Sequence, residues 1–238
     1  MQVDRRGSML TTTRIIARTT VITVLSLSSV SEAQDRVRLD DAVRKQCLQI
    51  LRTSLRADEF WPSIHAAEGL TLAGHGGEVR SYLGPKMAGQ KDDQKRCGLA
   101  RELVRAGDIE RRQIMLDILA GSDSYGHTHA AESLFKVSQI GNGVALRAAL
   151  QQSDNLKLKV MAAAALGRSG DQPALLALRS LLVGKDATAR QLSAWVLGRI
   201  GDKRDLPSLR QARKRTKDPL EHAYFVHSLA ALGDVAGR

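Results

Sequence analysis

Ala165-Leu166-Gly167-Arg168-Ser169-Gly170-Asp171 recurs as Val196-Leu197-Gly198-Arg199-Ile200-Gly201-Asp202. Leu, Gly, Arg, Gly and Asp keep their places at a spacing of 31 residues. A third copy, Ser228-Leu229-Ala230-Ala231-Leu232-Gly233-Asp234, follows at a spacing of 32. Similarity at one fixed period marks a single supersecondary unit, repeated and stacked.

The residues of each copy say what the unit is. Runs such as Ala162-Ala163-Ala164-Ala165 favour helix and let neighbouring helices approach closely. Leu166 and Leu197 supply the large apolar contact. The glycine after each helix can turn left-handed and stop it, and the Asp beside it can cap the next helix. Ala174-Leu175-Leu176-Ala177-Leu178 and Leu206-Pro207-Ser208-Leu209 then open second helices. Asp218-Pro219-Leu220-Glu221 starts the last helix, with Asp at the cap, Pro in the first turn and Glu three residues after the cap.

Weaker copies extend toward the N-terminus. His65-Ala66-Ala67-Glu68-Gly69-Leu70 returns as His129-Ala130-Ala131-Glu132-Ser133-Leu134, a spacing of 64 or two periods. Gly98-Leu99-Ala100-Arg101-Glu102-Leu103 falls between them in the same frame, closed by Ala106-Gly107-Asp108. Six copies result, with an additional helix near residues 41–55 ahead of them. One hairpin of this kind cannot bury its apolar side alone, whereas a stack makes a continuous core.

The run Ala-Leu-Gly-Arg-x-Gly-Asp-x-x-x-Leu-x-x-Leu resembles the HEAT-like repeat, in the short form also seen in phycobilisome lyases. The resemblance covers roughly residues 60–234 and is strongest over residues 160–212. It implies an all-α fold, a right-handed α-solenoid of about six stacked helical hairpins. It is nearly silent on function, because this fold mostly presents surfaces. Three segments are expected: a signal peptide over 1–33, a capping helix region over 34–59 and the HEAT-like repeat domain over 60–238.

Composition agrees with a helical core. Of 238 residues, 43% are apolar but only 3% aromatic, so the core is built from Leu, Ala, Val and Ile. The N-terminus differs from the rest. Arg5, Arg6, Arg14 and Arg18 precede the apolar run Val21-Ile22-Thr23-Val24-Leu25-Ser26-Leu27, and Ser31-Glu32-Ala33 supplies a small-x-small site. That is the pattern of a secretory signal cleaved after Ala33. The apolar run is about half of what a spanning helix needs. The expected address is therefore export, to the periplasm or outside the cell. Residues 1–33 hold four basic and two acidic residues, so their removal takes the net charge from +11 to +9. Two cysteines remain, Cys47 and Cys97; an oxidising compartment would permit a disulfide between them, and two buried thiols are the alternative.

No phosphate-binding glycine loop, Gly-x-Ser-x-Gly elbow, paired Cys-x-x-Cys or His-Glu-x-x-His is present, so no catalytic residue and no cofactor is assigned. The sharpest chemical feature is the duplicated His-Ala-Ala-Glu. His65 and Glu68, and likewise His129 and Glu132, stand three apart and would share a helix face. Two such pairs suit zinc or iron. Some HEAT-like hydroxylases hold a di-iron centre with adjacent His and Glu, whereas here two alanines intervene. The alternative reading is ordinary polar positions of a repeat helix.

The second feature is basic. Arg210, Arg213, Lys214 and Lys217 follow helical spacing, and Arg179 lies 31 residues before Arg210. With the second helices on the concave side, these five cations would form one stripe that attracts an anionic polymer or an acidic protein surface. A solvated face is the plain alternative. Nucleic acid is disfavoured by export and by the scarcity of aromatics. Trp61 and Trp195 are expected in core or inter-repeat packing. The resulting expectation is an exported, non-catalytic scaffold with a protein partner. A metal-dependent or lyase-like enzyme subunit and a polyanion binder are the alternatives.

Overall fold

The structure, a computed structural model, describes residues 39–234. The expected signal peptide over 1–33 lies outside the described residues, and the helical unit begins at Asp40. Twelve α-helices follow among the described residues: α1 (Asp41–Leu55), α2 (Phe60–Leu72), α3 (Gly76–Gly89), α4 (Asp93–Arg105), α5 (Arg112–Ala120) and α6 (His127–Val137), then α7 (Val144–Gln152), α8 (Leu156–Arg168), α9 (Gln172–Leu182), α10 (Ala187–Ile200), α11 (Leu206–Arg215) and α12 (Pro219–Ala231). No strand occurs among the described residues. The fold is an all-helical α-solenoid.

Caps explain where the helices start. The side chains of Asp92, Asn155, Asp171, Asp186 and Asp218 each accept a hydrogen bond from the amide three residues ahead. Each such cap is worth about 1 kcal/mol. The even-numbered helices also end alike. After α8, Gly170 turns left-handed at φ 91°, and the Asp171 amide reaches back to the Leu166 carbonyl at 3.1 Å. The same bond closes α2 from His75 to Leu70, α4 from Asp108 to Leu103, α6 from Gln139 to Leu134 and α12 from Asp234 to Leu229. This is the Schellman closure, with its leucine fully buried.

Helix α10 breaks the rule. Gly201 has φ −78° and is not left-handed, contrary to the repeat's expectation. The chain continues into a 3-10 turn, Lys203–Asp205, in which Asp202 and Asp205 cap each other's backbone. Asp205 is thereby drawn inward and is 2% exposed.

The helices form two rows. Each even helix packs along the next, α2 on α4, α4 on α6, α6 on α8, α8 on α10 and α10 on α12. The odd row meets mainly at α5–α7 and, more thinly, at α9–α11. Small residues permit the close approach: Ala162 to Ala165 are all buried, and a side chain at Gly198 would meet the Ser228 backbone at 2.9 Å. We call the tighter, even row inner and the looser, odd row outer.

An arginine from each odd helix ties the rows lengthwise. Arg52 reaches Glu78, Arg80 the Ala106 carbonyl, Arg112 Gln139, Arg147 Asp171, Arg179 Asp205 and Arg210 Asp234. Each acceptor lies at or beside the turn that follows the next even helix. Five of these six rungs end on a side chain and one on a backbone carbonyl.

Candidate binding surface

The basic stripe expected on one face does not assemble. Arg179 and Arg210 are rungs of the ladder, each paired with an aspartate at 2.7 Å. They belong to the odd row, Arg179 on α9 and Arg210 on α11. Helix α11 ends at Arg215, so Lys217 falls outside the helical spacing. Arg213 is half-buried, while Lys214 and Lys217 are exposed.

Nor do the two His-Ala-Ala-Glu pairs converge on a metal. Glu68 accepts from Arg105 at 3.1 Å and Glu132 pairs with Lys136 at 2.7 Å, because each carboxylate finds a cation on its own or the neighbouring helix. His65 is exposed. Among the described residues, no three His, Cys, Asp or Glu side chains gather as a metal group. The cysteines are both free: Cys47 is exposed on α1 and Cys97 is fully buried on α4, so the permitted disulfide is not formed. Burial pushes the Cys97 thiol up to about 12, which removes it as a nucleophile.

What the structure does assemble lies on the inner row. His129 is half-buried and stacks on Trp61, ring centroids 5.8 Å apart and planes inclined by 28°. Trp61 is on α2 and His129 on α6, so the indole spans α4 between them. It can do so because α4 presents Gly98 there, where an added Cβ would stand 3.2 Å from the indole. The frame His65, Gly98, His129 therefore has a structural meaning: the missing side chain is the seat of Trp61. Trp195 on α10 makes a similar reach, meeting Phe135 of α6 edge-on at 5.8 Å across the alanine-rich α8. Both tryptophans are inter-repeat packing, as the sequence suggested.

A groove of about 710 Å³ lies between these two spans. Tyr125, His129, Met161, Leu192, Trp195 and Tyr224 line it, with polar Gln94, Thr128, Thr188 and Gln191 at its margin. Met161, Leu192 and Tyr224 stand 32, 63 and 95 residues after His129, one repeat position carried forward. That frame was the signal available in the sequence for these floor residues. Their side chains vary while the scaffold leucines do not.

Charges frame the groove unevenly. Burial, with the Arg101 guanidinium behind it, holds His129 below its ordinary pKa of 6.5, only partly offset by Glu132. Arg101 is buried against Glu102 at 2.6 Å, and its Nη2 has no hydrogen-bond partner among the described residues. On the other side of α6, Arg168 lies 5.4 Å from the Phe135 ring and Arg199 lies 4.4 Å from the Trp195 ring. Both are exposed, as is Lys157 on the groove wall.

Paired helices stacked in two rows around one core define a helical-repeat scaffold. Residues 144–230, α7 through most of α12, match the family of HEAT repeats, which supports a HEAT-like repeat reading of that part of the chain. Repeats of this kind commonly mediate protein interactions. A comparison of the whole sequence with curated proteins finds no match. No described helix is long and apolar enough to cross a membrane.

Proposed function

We propose that the protein is an exported, non-catalytic scaffold that holds a partner protein along the inner face of its solenoid. The observation that carries this reading is the gathering of side chains at one groove. In a chain with only 3% aromatics, Trp61, Trp195 and Tyr224 stand on the inner row and Tyr125 in the turn leading into α6, three of the four around the groove with Met161 and Leu192. Aromatic and methionine side chains are the usual anchors of protein interfaces. Export is supported by the basic, apolar and small-x-small pattern of residues 1–33.

The experiment places a photo-crosslinking residue at Leu192 in the groove and, separately, at Ser208 on the outer row, in cells that export the chain. One discrete protein adduct is expected from position 192, absent at 208 and lost in a Trp195→Ala, Tyr224→Ala background. Equal adducts from both positions would defeat the groove reading. The exported protein should begin at Gln34 on N-terminal sequencing; an intact N-terminus in the cytoplasm would defeat the export reading.

A further inference from the structure

The groove has a charge character that goes with its apolar floor. Lys157 stands on one wall; Arg199, near the C-terminal end of α10, lies over the lining Trp195, and Arg168, at the end of α8, lies by Phe135, which meets Trp195 edge-on. None of the three has a carboxylate partner among the described residues. Arg168 donates only to the Phe135 carbonyl, and Arg199 lies over Trp195. The carboxylate in the lining, Glu132, is neutralised by Lys136. Asp92, which accepts from the Tyr125 hydroxyl at 3.3 Å, is engaged as the cap of α4. The groove thus offers an apolar floor with Lys157 on its wall and two arginines behind the Trp195 and Phe135 rings.

Resting on the scaffold reading above, we propose that the groove takes an extended, acidic peptide segment of the partner protein that carries one bulky apolar side chain. The apolar side chain sits on Met161, Leu192 and Trp195, and carboxylates on either side meet Lys157, Arg168 and Arg199. Size fits the segment. Three steps between helices from α6 to α12 cover roughly 27 Å, which an extended chain spans with about eight residues. The margin amide of Gln191 suits a peptide backbone, which needs both donors and acceptors, and Gln94, whose Nε2 donates to the Tyr125 carbonyl, adds its amide oxygen as an acceptor. Charge complementarity then sets both the register and the rate of encounter.

The probe is a fluorescein-labelled peptide of Asp and Glu with one central Phe, followed by anisotropy against the purified mature protein. Controls replace the acids by Lys, or the Phe by Ser. Binding that weakens with salt is expected for the acidic peptide and not for the Lys peptide. Arg168→Glu with Arg199→Glu should weaken it by about tenfold or more, and Trp195→Ala by about thirtyfold. Arg168→Lys with Arg199→Lys should restore it to within about threefold, which separates charge from packing. Equal binding of acidic and basic peptides, or insensitivity to charge reversal, overturns the proposal. Heparin binding with the same arginine dependence, and no peptide binding, would overturn it in favour of an anionic glycan. A protein adduct at position 192 without acidic-peptide binding overturns this chemistry and leaves the scaffold reading standing.

Discussion

The Arg179 guanidinium of α9 grips Asp205 with two hydrogen bonds, Nε to Oδ1 at 2.7 Å and Nη2 to Oδ2 at 3.3 Å. Asp205 also accepts from the Asp202 amide, so one carboxylate closes a turn and joins two repeats. Its burial makes it the costly partner to lose. Asp205→Ala should destabilise the protein by about 2–3 kcal/mol in urea denaturation, the arginine's partial exposure keeping the figure below that of a fully buried pair. Arg204→Ala, which removes only the exposed pair with Asp202, should leave the midpoint unchanged. Equal losses for the two variants would show that the rung is ornamental.

Gly98 and Gly198 should tolerate a side chain very differently. An alanine methyl at Gly98 meets the edge of the Trp61 ring at 3.2 Å, and that ring can shift. At Gly198 it meets the Ser228 backbone at 2.9 Å, which has nowhere to go without parting α10 from α12. Gly198→Ala is expected to cost about 1–3 kcal/mol, and Gly98→Ala less than that. Gly98→Leu should unseat Trp61, read in a Trp195→Phe background as a red shift of the remaining indole emission. An unshifted emission would mean that Trp61 does not lie across α4.

The stacked histidine gives a pH signature. Because folding holds His129 below 6.5, the unfolded chain binds its proton more readily than the native one. This histidine's contribution is intact above pH 6.5 and is lost as the pH falls below it. The melting temperature of the native protein should therefore drop more steeply on acidification from 7.5 than that of His129→Gln. An imidazole titration by NMR with its midpoint at or above 6.5 would contradict the buried stack.

Thiol chemistry should divide the two cysteines cleanly. Cys47 is exposed, whereas Cys97 is buried with its thiol pushed up to about 12. A maleimide should add once to the native protein at pH 7.5 and twice in denaturant, read by mass. No addition in denaturant without reductant would reveal a disulfide.

Much of this architecture was legible in the chain. The Leu-x-x-x-Gly-Asp closure after residues 166 and 229 and the cap at Asp218 could be read residue by residue, because caps and left-handed glycines are local devices. The arginine rungs were not. Arg179 and Arg210 looked like a surface stripe because a cation's partner lies 24 to 26 residues away, and spacing alone cannot distinguish a solvated arginine from a paired one. The groove was missed for another reason. Its floor uses one frame position filled by His129, Met161, Leu192 and Tyr224 in turn, and a search for recurring residues passes over a place where the residue changes. The departure at Gly201 came from Asp205, three residues beyond the motif.

The ladder has a direction. Every rung from an odd helix runs forward to a later turn, whereas on the even row Arg105 and Arg168 reach back, to Glu68 and to the Phe135 carbonyl. Pulled or melted, such a chain need not fail as a whole. Cutting the rung from Arg147 to Asp171 would loosen the blocks before and after it along the outer row, leaving the packing of α8 on α6 and α7 to carry the load between them. Hydrogen exchange would then show two protection plateaus where the intact stack shows one, and cooperativity itself becomes a property located at particular arginines.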